Sequence, residues 1–513
     1  MTLILIGQLV SLAMGGLLFW GLGPWSLGRG DRASKQTGEL LRTDDALAGR
    51  LVLAAGVMLL SGIGLAGLGA WLHLQLNLQW SLPLLVVDLL LLLVLACVML
   101  VYRSKAAATA KAVMLVAPDA KTLGSLAVVL CWLLRVWGVM VALATFVVAW
   151  SNLTRRPWGD WDAIMIWNAR ARFLDRGEEL WQLGFQLPVI HPDYPILLPM
   201  SVYRLWQYQG GESPFAPQLV SFVFLLAGCL VLWGTLRICR GSVIAWVGLL
   251  ALLANSFYLN FGSLQLADVP VGTFLMAGWA MMALAGHQQK QTELASDSSS
   301  ESAAQRSEHT WRLWVLAGLM FGCMAWVKNE GLLMLVATGA GVLVTRKPSR
   351  WILRDKRLLL AMALGAVLFV VAIAWAKFSL AVSNDLFRNQ SNQPDDPTPW
   401  DKLVDPSRHK LIFTAYWEFL RANVTVWSSV LLVLLLPIAG WRPGRLGGVL
   451  LGMGTALFLT TTGYYTVYLV TPHDLTWHLS TSLSRLMTQL WPVFVLWAML
   501  GLQLPWAKRA KGL

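Results

Sequence analysis

Apolar residues run along this chain in long uninterrupted blocks separated by short polar segments. They neither alternate at the period of a strand nor recur on one face of a surface helix. A block of roughly 18 residues or more crosses a hydrocarbon core of about 30 Å as a helix. The pattern predicts about thirteen spans, approximately at 1–23, 48–73, 82–102, 124–150, 215–236, 243–262, 268–286, 311–327, 331–345, 358–381, 424–440, 446–466 and 486–506. Only helices and closed barrels satisfy their backbone groups in lipid, and these runs are too long and uniform for barrel strands. The expected fold is therefore all-α, a polytopic transmembrane helical bundle. Two larger loops, 151–214 and 382–423, are expected to carry short interfacial helices. No internal repeat is visible, so sequence symmetry gives no support to an inverted-repeat transporter.

Composition agrees with the pattern. Of 513 residues, 57% are hydrophobic and 13% charged, where a soluble protein carries about 25% charged residues. The net charge of +13 would suit a nucleic-acid surface, but its distribution tracks topology instead. The loops on one side hold 25 Lys and Arg against 10 acids, those on the other 13 against 16, and Arg135 and Lys377 fall within spans. Short basic loops face the cytoplasm, which puts the amino terminus outside and the carboxyl terminus inside, in a bacterial inner membrane or its equivalent. The five cysteines, Cys97, Cys131, Cys229, Cys239 and Cys323, fall in spans or at cytoplasmic ends, so no disulfide framework is implied. Residues 1–23 lack a basic leader and a small-residue cleavage pattern and read as a span.

In chain order, Asp88 sits inside the third span, where an acid is a functional candidate unless it reaches the interface or finds a local partner. Arg135 lies between Trp132 and Trp137, in a position to snorkel or brace a neighbour. In the first large loop, Ala163–Leu174 puts Ile164, Trp167 and Leu174 on one helical face and Arg170 on the other, which suits a short interfacial helix. The Ser-rich segment 287–310 reads as a cytoplasmic linker. W-V-K-N-E-G makes Lys328, Asn329 and Glu330 a tight outer turn. His409–Arg421 is amphipathic, and T-P-H-D-L-T-W-H-L-S-T-S-L-S-R leaves His473, Asp474, His478 and Arg485 outside. The sequons at Asn152 and Asn423 are short enough to be chance.

The chemistry-bearing residues converge on one boundary. Asp160 and Asp162 of P-W-G-D-W-D, His191, Asp193 and Tyr194 of H-P-D-Y-P, Asp268, Lys328, Glu330, Asp474, His478 and Arg485 all fall at outer span ends on five loops. Acids there could take a proton from a hydroxyl while Lys and Arg hold a phosphate leaving group. Each has a plainer account. An acidic loop is often only solvated, H-P-D-Y-P serves equally as a rigid turn, Asp268 as an N-cap, and Lys328 with Glu330 as an exposed pair. His473 and His478 are five apart and would not share a helix face. A divalent metal is left open, and no other cofactor is implied.

A hydrophobic span followed by an acidic loop, a second acid between the next outer ends and K-N-E-G at the following turn resembles the GT-C superfamily of polytopic glycosyltransferases. Within it, the protein O-mannosyltransferase and aminoarabinose lipid A transferase types are nearest in pattern. The resemblance covers roughly residues 124–379, with Arg485 also fitting. It divides the chain into an amino-terminal three-span addition (1–123), a catalytic core (124–381) and a carboxyl-terminal part (382–513). It departs from the family by placing the acidic loop after the fourth span. The resemblance implies a polyprenyl-phosphate sugar donor and an acceptor that is a glycan, lipid or protein. It implies Asp160 or Asp162 as base, Asp268 as second acid, and Lys328 and Arg485 on the donor phosphate. Glu330, His191, Asp193, Tyr194 and His478 would line the substrate site. The rival readings are a transporter or flippase, which would show ionisable residues near the midplane and interrupted helices, and a non-catalytic scaffold.

Overall fold

The computed structural model describes residues 1–22, 40–77, 83–107, 125–187, 191–295, 301–344, 356–380, 397–422 and 446–502. Among these the chain is helical throughout, with no strand. In order come α1 (Thr2–Leu22), α2 (Leu40–Gln75), α3 (Leu84–Ala107) and α4 (Ser125–Arg155). After a tight turn, a π-helical segment (Ala163–Asn168) runs straight into α5 (Ala169–Arg176), followed by the short α6 (Trp181–Gly184) and α7 (Leu197–Gln209). Then follow α8 (Phe215–Cys239), α9 (Ser242–Leu253), α10 (Ser256–Ser263), α11 (Asp268–Ala295), α12 (Glu301–Val327), α13 (Asn329–Val344) and α14 (Lys356–Ser379). The last are α15 (Pro399–Val404), α16 (Pro406–Ala422), α17 (Gly447–Val470) and α18 (Leu475–Gly501).

Eight of these helices are long and apolar enough to cross a membrane, or nine if the bent pair α9–α10 forms one span, where thirteen were predicted. The difference has particular causes. The α3 and α13 stretches, Leu84–Leu100 and Asn329–Val344, are apolar but short. The span expected at 243–262 is broken, with α9 and α10 meeting at 66°. That at 446–466 appears as α17, whose Thr460-Thr461-Thr462 and Tyr464-Tyr465 dilute its apolar character. The span predicted at 424–440, the sequon at Asn423 and most of the basic loop 346–357 lie outside the described residues. The last span begins at Leu475 rather than 486, so the expected loop through His478 to Arg485 is helix.

The helix surfaces divide as those of a membrane bundle do. On α4, Trp132, Leu133, Trp137, Met140, Leu143 and Val147 are exposed, whereas on α11 and α12 nearly every apolar side chain is buried. Lipid tails are as apolar as leucine, so helices associate through close packing rather than water exclusion. The α12–α14 crossing illustrates this: a methyl group on Gly318 would fall 1.9 Å from the Met362 carbonyl, and one on Gly365 2.0 Å from that of Val315.

The region 151–214 is not a surface loop with one interfacial helix. The described segment α7 is almost wholly buried, packed against α1, α2 and α5. It carries Arg204, whose Nε donates to Asp88 Oδ2 on α3 at 2.7 Å and whose Nη1 donates to the Gly7 carbonyl and to Ser11 Oγ on α1. Tyr208 donates to the same carboxylate oxygen at 2.7 Å. Asp88 is thus neither solvated nor at an interface; it is fully buried and ion-paired. Arg170 is likewise corrected. It is fully buried rather than on the polar face, while Ile164, assigned to the buried face, is 39% exposed. The π-helical turn before α5 changes the angular step, so a 3.6-residue period drawn from Ala163 assigns the wrong faces.

Candidate functional site

The site is assembled by the way the 157–168 segment docks on the 264–268 segment. Gly159 turns the chain with φ +80°, a conformation L side chains avoid. A Cβ there would also sit 2.5 Å from the Leu264 carbonyl. That approach allows Asp160 N to donate to Leu264 O at 3.2 Å. Side-chain amides complete the seam. Asn168 donates to the Trp158 carbonyl and to Gln265 Oε1, and Gln265 and Gln218 both donate to the Pro157 carbonyl. Ala163, Leu264 and Leu266 close it with a small apolar cluster. The seam brings Asp162 towards Asp268, which opens α11.

The two acids of the D-W-D triplet therefore separate. Asp160 lies at the surface, 3.9 Å from Arg156 across a pair whose side chains are both at least half exposed. Asp162 has helical backbone angles at the start of the π-helix and turns inward to Arg485. Trp161, between them, is 68% exposed and shields neither.

Asp162, Asp268, Lys328, Glu330 and Arg485 form one ion-pair network. Arg485 bridges two carboxylates, Nη1 donating to Asp162 and Nε to Asp268 Oδ2 at 3.0 Å. Lys328 Nζ donates to Asp268 Oδ1 at 3.1 Å and lies 2.7 Å from Glu330 Oε1. Gln489 Nε2 donates to Asp268 Oδ1 at 2.6 Å, and its own carbonyl accepts from Tyr464 Oη. Asp268 is thus completely buried and fully committed to two cations and an amide. Such a carboxylate holds cations in place; it is not a free proton acceptor, and N-capping is not its principal contact. Lys328 and Glu330 are a buried and a part-buried group, not an exposed pair. Burial alone would push the Lys328 ammonium down, but Asp268 and Glu330 hold it well above the usual lysine range.

The helix α18 explains several placements at once. Asp474 caps it by accepting from Trp477 N, and His478, Ser482, Arg485 and Gln489 then recur at helical spacing along one face. His478 receives no metal geometry: its Nδ1 meets Thr471 Oγ1 at 3.0 Å and its ring packs edge-on to Tyr468. Among the described residues no group of three or more His, Cys, Asp or Glu side chains is arranged to hold a metal ion.

H-P-D-Y-P packs beside this network. His191 has φ +48° and stacks on Tyr194 at 5.0 Å, and Tyr194 stacks in turn on Trp167 at 5.7 Å. Lys328 Nζ lies 5.8 Å from the Tyr194 ring centroid. Burial first, and then Glu330, push the Tyr194 phenol well above its usual range, so it stays a donor. Asp193 accepts from Asn329 Nδ2 at 2.5 Å, and Lys377 Nζ donates to the Asp193 carbonyl and to Asn329 Oδ1. Arg170 donates to the Tyr194 and Pro195 carbonyls. Burial lowers Arg170 to about 9, with Asp193 and Tyr194 pulling the other way. The motif is therefore both a rigid turn and a neighbour of the ionic cluster.

Gln489, Tyr464, Lys377 and Arg170 were not among the predicted site residues. A lysine one turn inside a span end was the available signal for Lys377, whereas Gln489, a neutral side chain in the first turn of the span predicted at 486–506, gave none of comparable strength.

Two cavities lie near. One, of about 10 Å³, is bounded by Asp193, Tyr194, Trp326 and Lys377 and has room for a water at most. The other is a groove of about 340 Å³ between α16 and α17, lined by Phe413, Tyr416, Phe458, Thr461, Thr462 and Tyr465. Tyr416 packs edge-on to Tyr468, whose hydroxyl pairs with Ser482 on the Arg485 face of α18. Neither cavity is lined by Asp162 or Asp268. Both cations of the network are paired with carboxylates, and Asp162 is the most exposed of those carboxylates. Comparison of the chain with protein-family models, with curated proteins and with solved structures finds no match.

Proposed function

We propose that the chain is a membrane glycosyltransferase that moves a sugar from a polyprenyl-phosphate carrier to a glycan, lipid or protein acceptor. The observation that carries this reading is the single network joining Asp162, Asp268, Lys328, Glu330 and Arg485 from four distant segments. In it Asp162, 26% exposed, is the base for the acceptor hydroxyl, and Lys328 and Arg485 stabilise the departing phosphate. Asp268 positions both cations, with Gln489 and Tyr464 behind it. The reaction is a single inverting displacement: the acceptor oxygen bonds to the anomeric carbon as the bond to the phosphate oxygen breaks. Proximity and alignment supply much of the rate. The aromatic groove between α16 and α17 suits an isoprenoid tail, since it is almost wholly apolar and adjoins α18. In this reading the site faces the outside of a bacterial inner membrane, amino terminus outside, and the excess of bases on the opposite loops supports that orientation.

A transporter or flippase remains the second reading, and two observations favour it. The α9–α10 pair is interrupted at 66°, and Asp88 and Arg204 are charged groups buried in the bundle. Arg204 is saturated by protein acceptors and opens onto neither cavity described above, which suits a clamp better than a substrate site.

The deciding experiment incubates purified protein in nanodiscs with a panel of radiolabelled polyprenyl-phosphate sugars and a membrane extract. Transfer that is lost in Lys328→Ala and Arg485→Ala supports the enzyme. Translocation of a labelled lipid in proteoliposomes without transfer supports the transporter.

A further inference from the structure

Resting on the glycosyltransferase reading, we propose that Arg485 is an exchange clamp. In the free protein it occupies the catalytic carboxylate of Asp162, and the donor's lipid phosphate displaces that carboxylate and so releases the base. Three features of the cluster point to this. The first is charge balance: Asp162, Asp268 and Glu330 are three carboxylates against two cations, Lys328 and Arg485. Both cations are thus already committed to carboxylates, and a phosphate binds either of them only as a carboxylate gives it up.

The second is asymmetry between the carboxylates that Arg485 bridges. Asp268 is completely buried and keeps Lys328 and Gln489 if one arginine contact loosens. Asp162 is one-quarter exposed and held by Arg485 alone among the contacts described here. Its departure leaves a carboxylate that water or an acceptor hydroxyl can meet, whereas the departure of Asp268 would strand a buried charge. The third is position: Asp162 is the most exposed carboxylate of the network, on its solvent side, and Arg485 is itself 19% exposed, so an incoming anion meets this ion pair before it meets Asp268.

The consequence is an order of events. Donor phosphate takes the Nη1 edge of Arg485, Asp162 swings free, and only then does the acceptor hydroxyl lose its proton to Asp162 as its oxygen bonds the anomeric carbon. The sugar–phosphate bond breaks and the lipid phosphate leaves with the bonding electron pair, still held by Arg485 and Lys328. Water is not activated before the donor is bound, which protects against futile hydrolysis.

The test uses full-length protein in nanodiscs with decaprenyl phosphate, which carries no sugar, as probe. Asp162→Asn removes the competitor for Arg485 and should bind the probe about threefold to tenfold more tightly than the parent, while lowering transfer by a factor of about 10² to 10⁴. Asp268→Asn should bind it more weakly. A second measurement needs no variant: carbodiimide labelling of Asp162, read by mass spectrometry, should speed up several-fold when decaprenyl phosphate is added. Parent binding with unchanged or weaker affinity in Asp162→Asn, and labelling indifferent to the probe, would overturn the exchange while leaving the enzyme reading intact. Absence of probe binding in the parent and in Asp162→Asn overturns both.

Discussion

At the scale of single residues, the D-W-D triplet carries the sharpest expectation. Asp160 and Asp162 are two residues apart and equivalent in the sequence, yet one ends at the surface and the other on Arg485. Asp162→Asn should lower sugar transfer by a factor of about 10² to 10⁴, the usual worth of a positioned base, and Asp160→Asn by no more than a few-fold. Initial rates with saturating donor for both variants check this; equal losses would remove the distinction. The charged members of the cluster were legible because an acid or base at the end of an apolar span is costly unless partnered. Gln489 and Tyr464 were not, because neutral polar side chains in a span leave no comparable mark. The sequence could not rank the two acids either. That depends on the turn at Gly159 and on the seam to Gln265, 106 positions away in the chain. Gly159→Ala should therefore act on the site from outside it. A left-handed alanine costs about 1–2 kcal/mol, and its methyl would press on the Leu264 carbonyl. Transfer should fall together with thermal stability, whereas Asp162→Asn should leave the melting temperature nearly unchanged.

At the scale of elements, eight of the long apolar runs appear as helices long and apolar enough to cross a membrane, while helices in the more polar stretches were read as loop. The segment before Arg485 looks like loop because Thr, Ser and His outnumber apolar residues there. It is helical because Leu475, Leu479, Leu483 and Leu486 recur on one buried face. Similarly α7 hid inside a presumed loop: V-Y-R-L-W-Q-Y is too polar for a span, and its arginine is neutralised by Asp88, 116 positions earlier. This pairing ties α1 and α3 to α7, the helix that directly follows H-P-D-Y-P. Asp88→Asn leaves a buried guanidinium without its carboxylate, and breaking a buried pair costs about 3–5 kcal/mol. Thermal unfolding in detergent should show a large fall for Asp88→Asn. Asp88→Leu combined with Arg204→Leu should recover much of it, because two apolar groups of similar bulk leave no stranded charge. A double variant as unstable as the single one would mean that the remaining Arg204 contacts, to Gly7 and Ser11, matter more than the ion pair.

At the scale of the whole molecule, the question is which face of the membrane the cluster occupies, and the structure's geometry is the same either way up. Sidedness rests on the distribution of 25 bases against 13 between alternate loop sets. Such a bias is effective because Lys and Arg near span ends resist translocation. The short loop Arg346–Arg357 alone carries six of them. The cluster sits at the opposite end from that loop along α14, since Lys377, near the end of this helix, reaches Asn329 and the Asp193 carbonyl. Orientation and function are therefore one prediction: if basic loops are cytoplasmic, the cluster meets a donor and acceptor on the outer side. Single cysteines should be introduced at Ser213 and Ser299 of a variant lacking the five native ones, with transfer activity verified first. An impermeant maleimide added to intact cells should label Ser213→Cys, which follows α7 on the cluster side, and should reach Ser299→Cys only after lysis. Labelling of Ser299→Cys in sealed cells would turn the protein over. The cluster would then face the cytoplasm, where nucleotide-activated sugars are available, and a polyprenyl-phosphate donor would lose its topological reason.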